Sequence, residues 1–157
     1  MNLVENIDNY DIDHVYFADS VDNTIMNNSV FIRLIYSTEY FIMNGLYMDF
    51  NLNNVVFEKM YNRYKCTFKY ENNRDICEKL INYEQEILEK INIKNKLKDQ
   101  SIAKSLKSET IKVYYDDNID NINTQCVKFI IKISGIWETA KSYGITFKIV
   151  SHQSCNI

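Results

Sequence analysis

Proline is absent from the 157 residues, and glycine occurs only three times. Collagen-like, Pro-rich and Gly-rich architectures are excluded by that alone, as is a glycine-rich loop that wraps nucleotide phosphates. Histidine is scarce, with His14 and His152 near opposite ends, and Trp137 is the one tryptophan. No apolar run approaches the roughly 20 residues that a membrane-crossing helix needs. The start lacks the basic-then-apolar pattern of a secretory signal. The chain is therefore expected not to be secreted and to make no membrane contact.

Catalytic signatures are missing as well. There is no G-x-S-x-G, no H-E-x-x-H, no kinase set and no dinucleotide fingerprint. Asp116 and Asp117 are adjacent carboxylates, but neighbouring side chains in extended backbone point apart, so they read as a solvated loop. Cys66, Cys77, Cys126 and Cys155 show no metal-motif spacing. Without a secretory signal, four reduced thiols are expected. No enzyme activity, cofactor or metal is expected.

What is present is a folded composition, 46% hydrophobic and 25% charged, and the length suits one domain. Asn, Ile, Tyr, Lys and Asp are abundant, and all have AT-rich codons, so an AT-rich genome accounts for that bias. The aromatic content is a separate matter. Twelve Tyr and eight Phe exceed what so small a core requires, which leaves rings for other work.

The formal charge of −3 is unevenly spread. Residues 1–30 hold Glu5, Asp8, Asp11, Asp13, Asp19 and Asp22 and neither Lys nor Arg, while all 18 basic residues lie in 31–157. This divides the chain into an acidic N-terminal segment, 1–30, and a single α+β domain, 31–157. The segment reads as a solvated tail or as an internal competitor for a basic groove. Val15-Tyr16-Phe17 gives it a means of packing on the body.

Val30, Ile32, Leu34 and Tyr36 alternate as one strand face. Residues 40–50 form a second extended region with two candidate turns, Ser37-Thr38-Glu39 and Asn44-Gly45. A polar turn over Asn51–Asn54 precedes strands at 55–60 and 64–70. Asn72-Asn73 precedes a helical stripe of Ile76, Leu80, Ile87 and Ile91, which predicts a helix to about Ile93. Glu78, Glu84, Glu86 and Glu89 fall largely on its other face. A shorter helix follows, capped by Asp99 and carrying Ile102 and Leu106. Further strands are expected at Thr110–Tyr115, Val127–Ile133 and Ile145–Ile149, with a polar loop over 116–123 and a hairpin connection over 135–144. The order predicts α+β: a mostly antiparallel sheet, or an OB-like barrel, with one long helix inserted between strands.

The functional signal is basic and aromatic. Extended backbone from Lys59 to Tyr70 would place Lys59, Tyr61, Arg63, Lys65 and Lys69 on one face without an acid. Single strands of nucleic acid need that combination, because cations track phosphates and rings stack on bases. From this segment alone an ordinary solvated strand face is the slightly better reading, since Lys on sheet edges also prevents aggregation. Lys128, Lys132 and Lys148 on the later strands add to the basic surface, and Trp137 is either a core cap or a stacking platform.

Ile131-Lys132-Ile133-Ser134-Gly135-Ile136-Trp137-Glu138-Thr139, followed by Tyr143-Gly144-Ile145-Thr146-Phe147-Lys148, resembles a motif in the small OB-fold single-stranded DNA-binding proteins of large invertebrate DNA viruses. Phe31-Ile32-Arg33-Leu34-Ile35-Tyr36-Ser37, followed by Asn44-Gly45-Leu46-Tyr47, is similar to the same group. The resemblance implies a viral protein that binds single-stranded DNA or RNA, with viral replication proteins as further partners. It also implies a homo-oligomer in the host cytoplasm or nucleus, with Gly135 and Gly144 shaping the final hairpin. The chain departs from replication proteins of that kind in closing on Gln153-Ser154-Cys155-Asn156-Ile157, without an acidic tail. A viral structural or host-protein interaction module, with aromatic faces as the interface, is the competing expectation.

Overall fold

A computed structural model describes residues 4–114 and 123–154, and residues 151–154 by backbone alone. In chain order the elements are β1 (Glu5–Asn6), β2 (Val15–Phe17), β3 (Val21–Asp22), β4 (Val30–Ser37), β5 (Ile42–Asn44), β6 (Leu46–Asn53), β7 (Val56–Lys59) and β8 (Tyr64–Thr67). There follow α1 (Arg74–Ile91), β9 (Leu97–Asp99), α2 (Ser101–Lys107), β10 (Thr110–Tyr114), β11 (Cys126–Glu138) and β12 (Ser142–Ser154). The Asp116-Asp117 pair, most of the polar loop and Cys155 lie outside the described residues.

The fold is α+β, built on one mixed twelve-stranded sheet ordered β1-β6-β11-β12-β10-β8-β7, with β4 pairing β11, β2, β3 and β5. Most pairings are antiparallel, while β1–β6, β10–β12 and β9–β12 are parallel. The OB-like barrel is not formed, because the sheet stays open. Its terminal strands on that path, β1 and β7, are short, and the free edge of β7 carries Glu58 and Lys59, which discourage further pairing.

The β11–β12 hairpin is the spine. Its strands are longer than their alternation suggested, and the connection shrinks to residues 139–141. Along its other edge, β11 pairs first with β6 and then, past a bulge between Ile133 and Gly135, with β4. Gly135 makes that exchange possible. A Cβ there would stand 2.1 Å from the carbonyl oxygen of Ile32, so any side chain would push β4 off β11. Asn44-Gly45 marks the same exchange on the other chain. Gly45 has φ +89°, and it ends β5, which pairs β4, and starts β6, which pairs β11. The tight turn lies at Thr38–Phe41, where Thr38 N–H bonds the Phe41 carbonyl at 2.9 Å.

α1 packs its stripe on one sheet face, burying Cys77, Leu80, Ile87 and Leu88 against β6 and β12. The Asn72-Asn73 cap is replaced by a tie to the sheet. Asn73 Oδ1 accepts from Asn53 N–H at 2.7 Å, and its Nδ2 donates to the Asn53 and Lys69 carbonyls. Cys66 and Cys77 are buried thiols, and burial pushes them up to about 12 and about 11 respectively. Iodoacetamide should leave both unmodified in the native protein at pH 8 and alkylate both after denaturation. Native alkylation of either, read by peptide mass spectrometry, would contradict this packing.

The acidic segment is not a solvated tail. Ile7, Tyr10 and Val15 belong to the core, and β2 pairs β4. Tyr83 Oη donates to the Ile7 carbonyl, Lys90 Nζ donates to the Ile12 carbonyl, and Lys79 pairs with Asp8. Tyr10 packs among Tyr36 and Tyr83, but its buried hydroxyl has no hydrogen-bond partner among the described residues. Burial, with Glu86 nearby, holds that phenol far above the usual tyrosine range. A buried hydroxyl without a partner costs about 1–3 kcal/mol, so Tyr10→Phe should raise stability by about 1 kcal/mol in urea unfolding. A loss of that size would instead reveal a hydrogen bond worth keeping.

Candidate nucleic-acid interface

Alternation leaves one face of the central strands buried and the other half-exposed. On β6, β10 and β11 the buried set is Leu46, Met48, Phe50 and Leu52, then Ile111 and Val113, then Val127, Phe129, Ile131 and Ile133. Register then decides what stands on the opposite face. Tyr47 faces Lys132, and Lys132 faces Lys148. Lys148 and Lys112 each stand one residue before the β12–β10 pairing, which begins at Val113↔Ile149, and both line the cleft between the two strands. Lys112 faces Lys65, and Lys65 faces Glu58. Four lysines from four adjacent strands thus form a row, Lys132-Lys148-Lys112-Lys65.

Two tyrosines accompany the row. Lys132 Nζ lies 5.5 Å from the Tyr47 ring centroid, and Lys148 Nζ lies 4.3 Å from that of Tyr114. None of the four lysines is in an ion pair among the described residues. Like charges directly opposite on a sheet are destabilising, so the Lys132↔Lys148 and Lys112↔Lys65 pairs oppose folding.

The other anticipated residues fall elsewhere. The 59–70 run is a hairpin, not one strand: Met60 N–H bonds the Arg63 carbonyl at 2.8 Å, which turns the chain over Tyr61-Asn62. Lys59 therefore pairs with Tyr64 and takes the face opposite to Lys65. Tyr61 stands fully exposed at the tip, with Arg63 closing the turn. Acids occur along this hairpin too, since Glu58 faces Lys65 and Glu109 pairs with Lys69 at 3.6 Å. Lys128 is paired with Asp49 at 3.6 Å. Trp137 lies within β11, roughly 16 Å along it from Lys132. It is half-buried, facing Phe31 and seated on Gly144, where a Cβ would come within 2.8 Å of the indole.

The structure thus brings Lys65, Lys132 and Lys148 together and adds Lys112, Tyr47 and Tyr114. The missed residues alternate with apolar neighbours as outward strand positions must, but only the pairing of β10 between β8 and β12 aligns them. No three His, Cys, Asp or Glu side chains converge as a metal site among the described residues, and no described helix is long and apolar enough to cross a membrane. No protein-family model, curated protein or solved structure matches the chain.

Proposed function

We propose that the chain is a non-catalytic single-stranded nucleic-acid-binding protein of a large DNA virus, gripping its ligand on the outward sheet face. The observation that carries this reading is the lysine row, without ion-pair partners among the described residues and flanked by Tyr47 and Tyr114. A sheet face suits a single strand because the cations are spaced for a flexible backbone and the rings offer π-faces to unpaired bases. The viral origin rests on the likeness of residues 131–148 to small viral DNA-binding proteins.

Fluorescence anisotropy of a labelled oligonucleotide, repeated across salt concentrations, tests the reading. Four phosphate contacts give log K against log salt a slope of about −3 for a single strand. A slope near zero, or equal affinity for an uncharged backbone analogue, would overturn it in favour of a protein-interaction module.

A further inference from the structure

Along one edge, β12 pairs with β9 over residues 142–144 and with β10 at Ile149 and Val150. Between these patches, residues 145–148 have no strand partner on that edge among the described residues, and a cleft of about 360 Å³ opens there beside the end of α2. Lys112 and Lys148 of the lysine row stand at this cleft with Tyr114, and Ser105, Ser108 and Thr110 line it too. Its volume falls in the range of small-molecule sites.

We infer that this cleft seats one nucleobase of the bound strand, unstacked and inserted edge-on toward β12. This rests on the nucleic-acid reading above. An extended backbone edge presents N–H and C=O groups in line, and every nucleobase edge offers acceptors or donors to match. Phe147 and Ile149 supply an apolar wall. The Ser105 and Ser108 carbonyls already accept from Ser108 Oγ at 2.8 Å and Thr110 Oγ1 at 3.4 Å, which fixes both hydroxyl oxygens as further acceptors. The phosphates on either side of the inserted base then fall to Lys112 and Lys148. A pure polyanion surface has no use for such a cleft, whereas a strand anchored by one base gains register from it.

The test compares a twelve-nucleotide oligothymidylate with a strand of equal length made of abasic sites, using the full chain and its Ser105→Leu and Ser108→Leu variants. Ser105 lies on α2, where Leu favours helix, and Ser108 is the exposed residue that caps its C-terminus; a thermal melt confirms that each variant is folded. The wild type should prefer the thymidylate by about tenfold. Each Leu variant should lose at least a threefold part of that preference, with abasic-strand affinity unchanged. A preference identical in the wild type and both variants would assign the bases to Tyr47 and Tyr114 alone and overturn the cleft assignment. If neither strand binds the wild type, the nucleic-acid reading itself fails, and this inference with it.

Discussion

Replacing Lys65, Lys112, Lys132 and Lys148 together with alanine should abolish salt-dependent binding of single strands and leave the fold intact or firmer. The expected slope moves from about −3 toward zero, because each lost phosphate contact removes about 0.7. Affinity at low salt should fall by at least a hundredfold. Stability moves the other way, since Lys132↔Lys148 and Lys112↔Lys65 are like-charge neighbours and such pairs cost about 0.2–1 kcal/mol each. The opposed signs make the experiment decisive. A structural role for the row predicts that binding and melting temperature fall together, whereas a binding role predicts that they part. Tyr47→Ala and Tyr114→Ala should each weaken binding at unchanged slope, because stacking releases no counterion. A quadruple variant that binds with the wild-type slope would move the site to the β7–β8 tip around Lys59, Tyr61 and Arg63.

The acidic segment enters this account differently from the way its charge suggests. As a competitor for the basic groove, its removal would tighten binding. Yet Ile7, Tyr10 and Val15 are core residues, and β1 and β2 extend the sheet through β6 and β4. Among the described residues one of its carboxylates, that of Asp8, pairs with Lys79 of α1, and none pairs with the lysine row. Truncation would therefore expose the core before it exposed a groove.

What the residues revealed in one dimension was what repeats locally. The alternation in Val30–Tyr36 and Val127–Ile133 and the stripe of α1 each rest on period alone, and each stands in the structure. Hairpin turns were harder: Tyr61-Asn62 turns the chain without a glycine, and Asn44-Gly45, which carries one, marks a switch between strands and not the tight turn. The lysine row was the least legible feature. It needs β10 laid parallel to β12 and antiparallel to β8, and no local period encodes which distant strand becomes a neighbour. Three of the four, Lys65, Lys132 and Lys148, were legible as outward strand positions, but not as neighbours. Lys112 was visible only as one of many lysines.

Glu84 shows the same limit inside a well-predicted element and supports the second large effect. Counted among the outward glutamates, it instead lies fully buried between Leu80 and Ile87, as the three- and four-residue spacing from Cys77 to Leu88 requires. Its Oε1 and Oε2 accept from the N–H groups of Ile102 and Ala103 at 2.9 and 2.8 Å. One carboxylate on α1 thus caps α2, which has no side-chain cap of its own; Asp99, expected in that role, pairs with Lys104 instead. Glu84→Ala should cost about 3–5 kcal/mol, since it strands two buried N–H groups and leaves a cavity. For a chain of this length that lowers Tm by on the order of 10 °C. Glu84→Gln should cost less, about 1–2 kcal/mol, because one N–H meets an NH₂ while a buried charge is removed. Burial raises the Glu84 carboxyl above the usual range, outweighing the two N–H bonds that lower it. A raised carboxyl contributes stability that is fully present below the unfolded pKa, about 4.3, and is lost as pH rises through the folded value. The margin of wild type over Glu84→Gln should therefore widen on acidification from neutral pH toward about 4.3. Urea titrations of both proteins across that range measure it, and a margin that narrows on acidification would mean that the two N–H bonds outweigh burial.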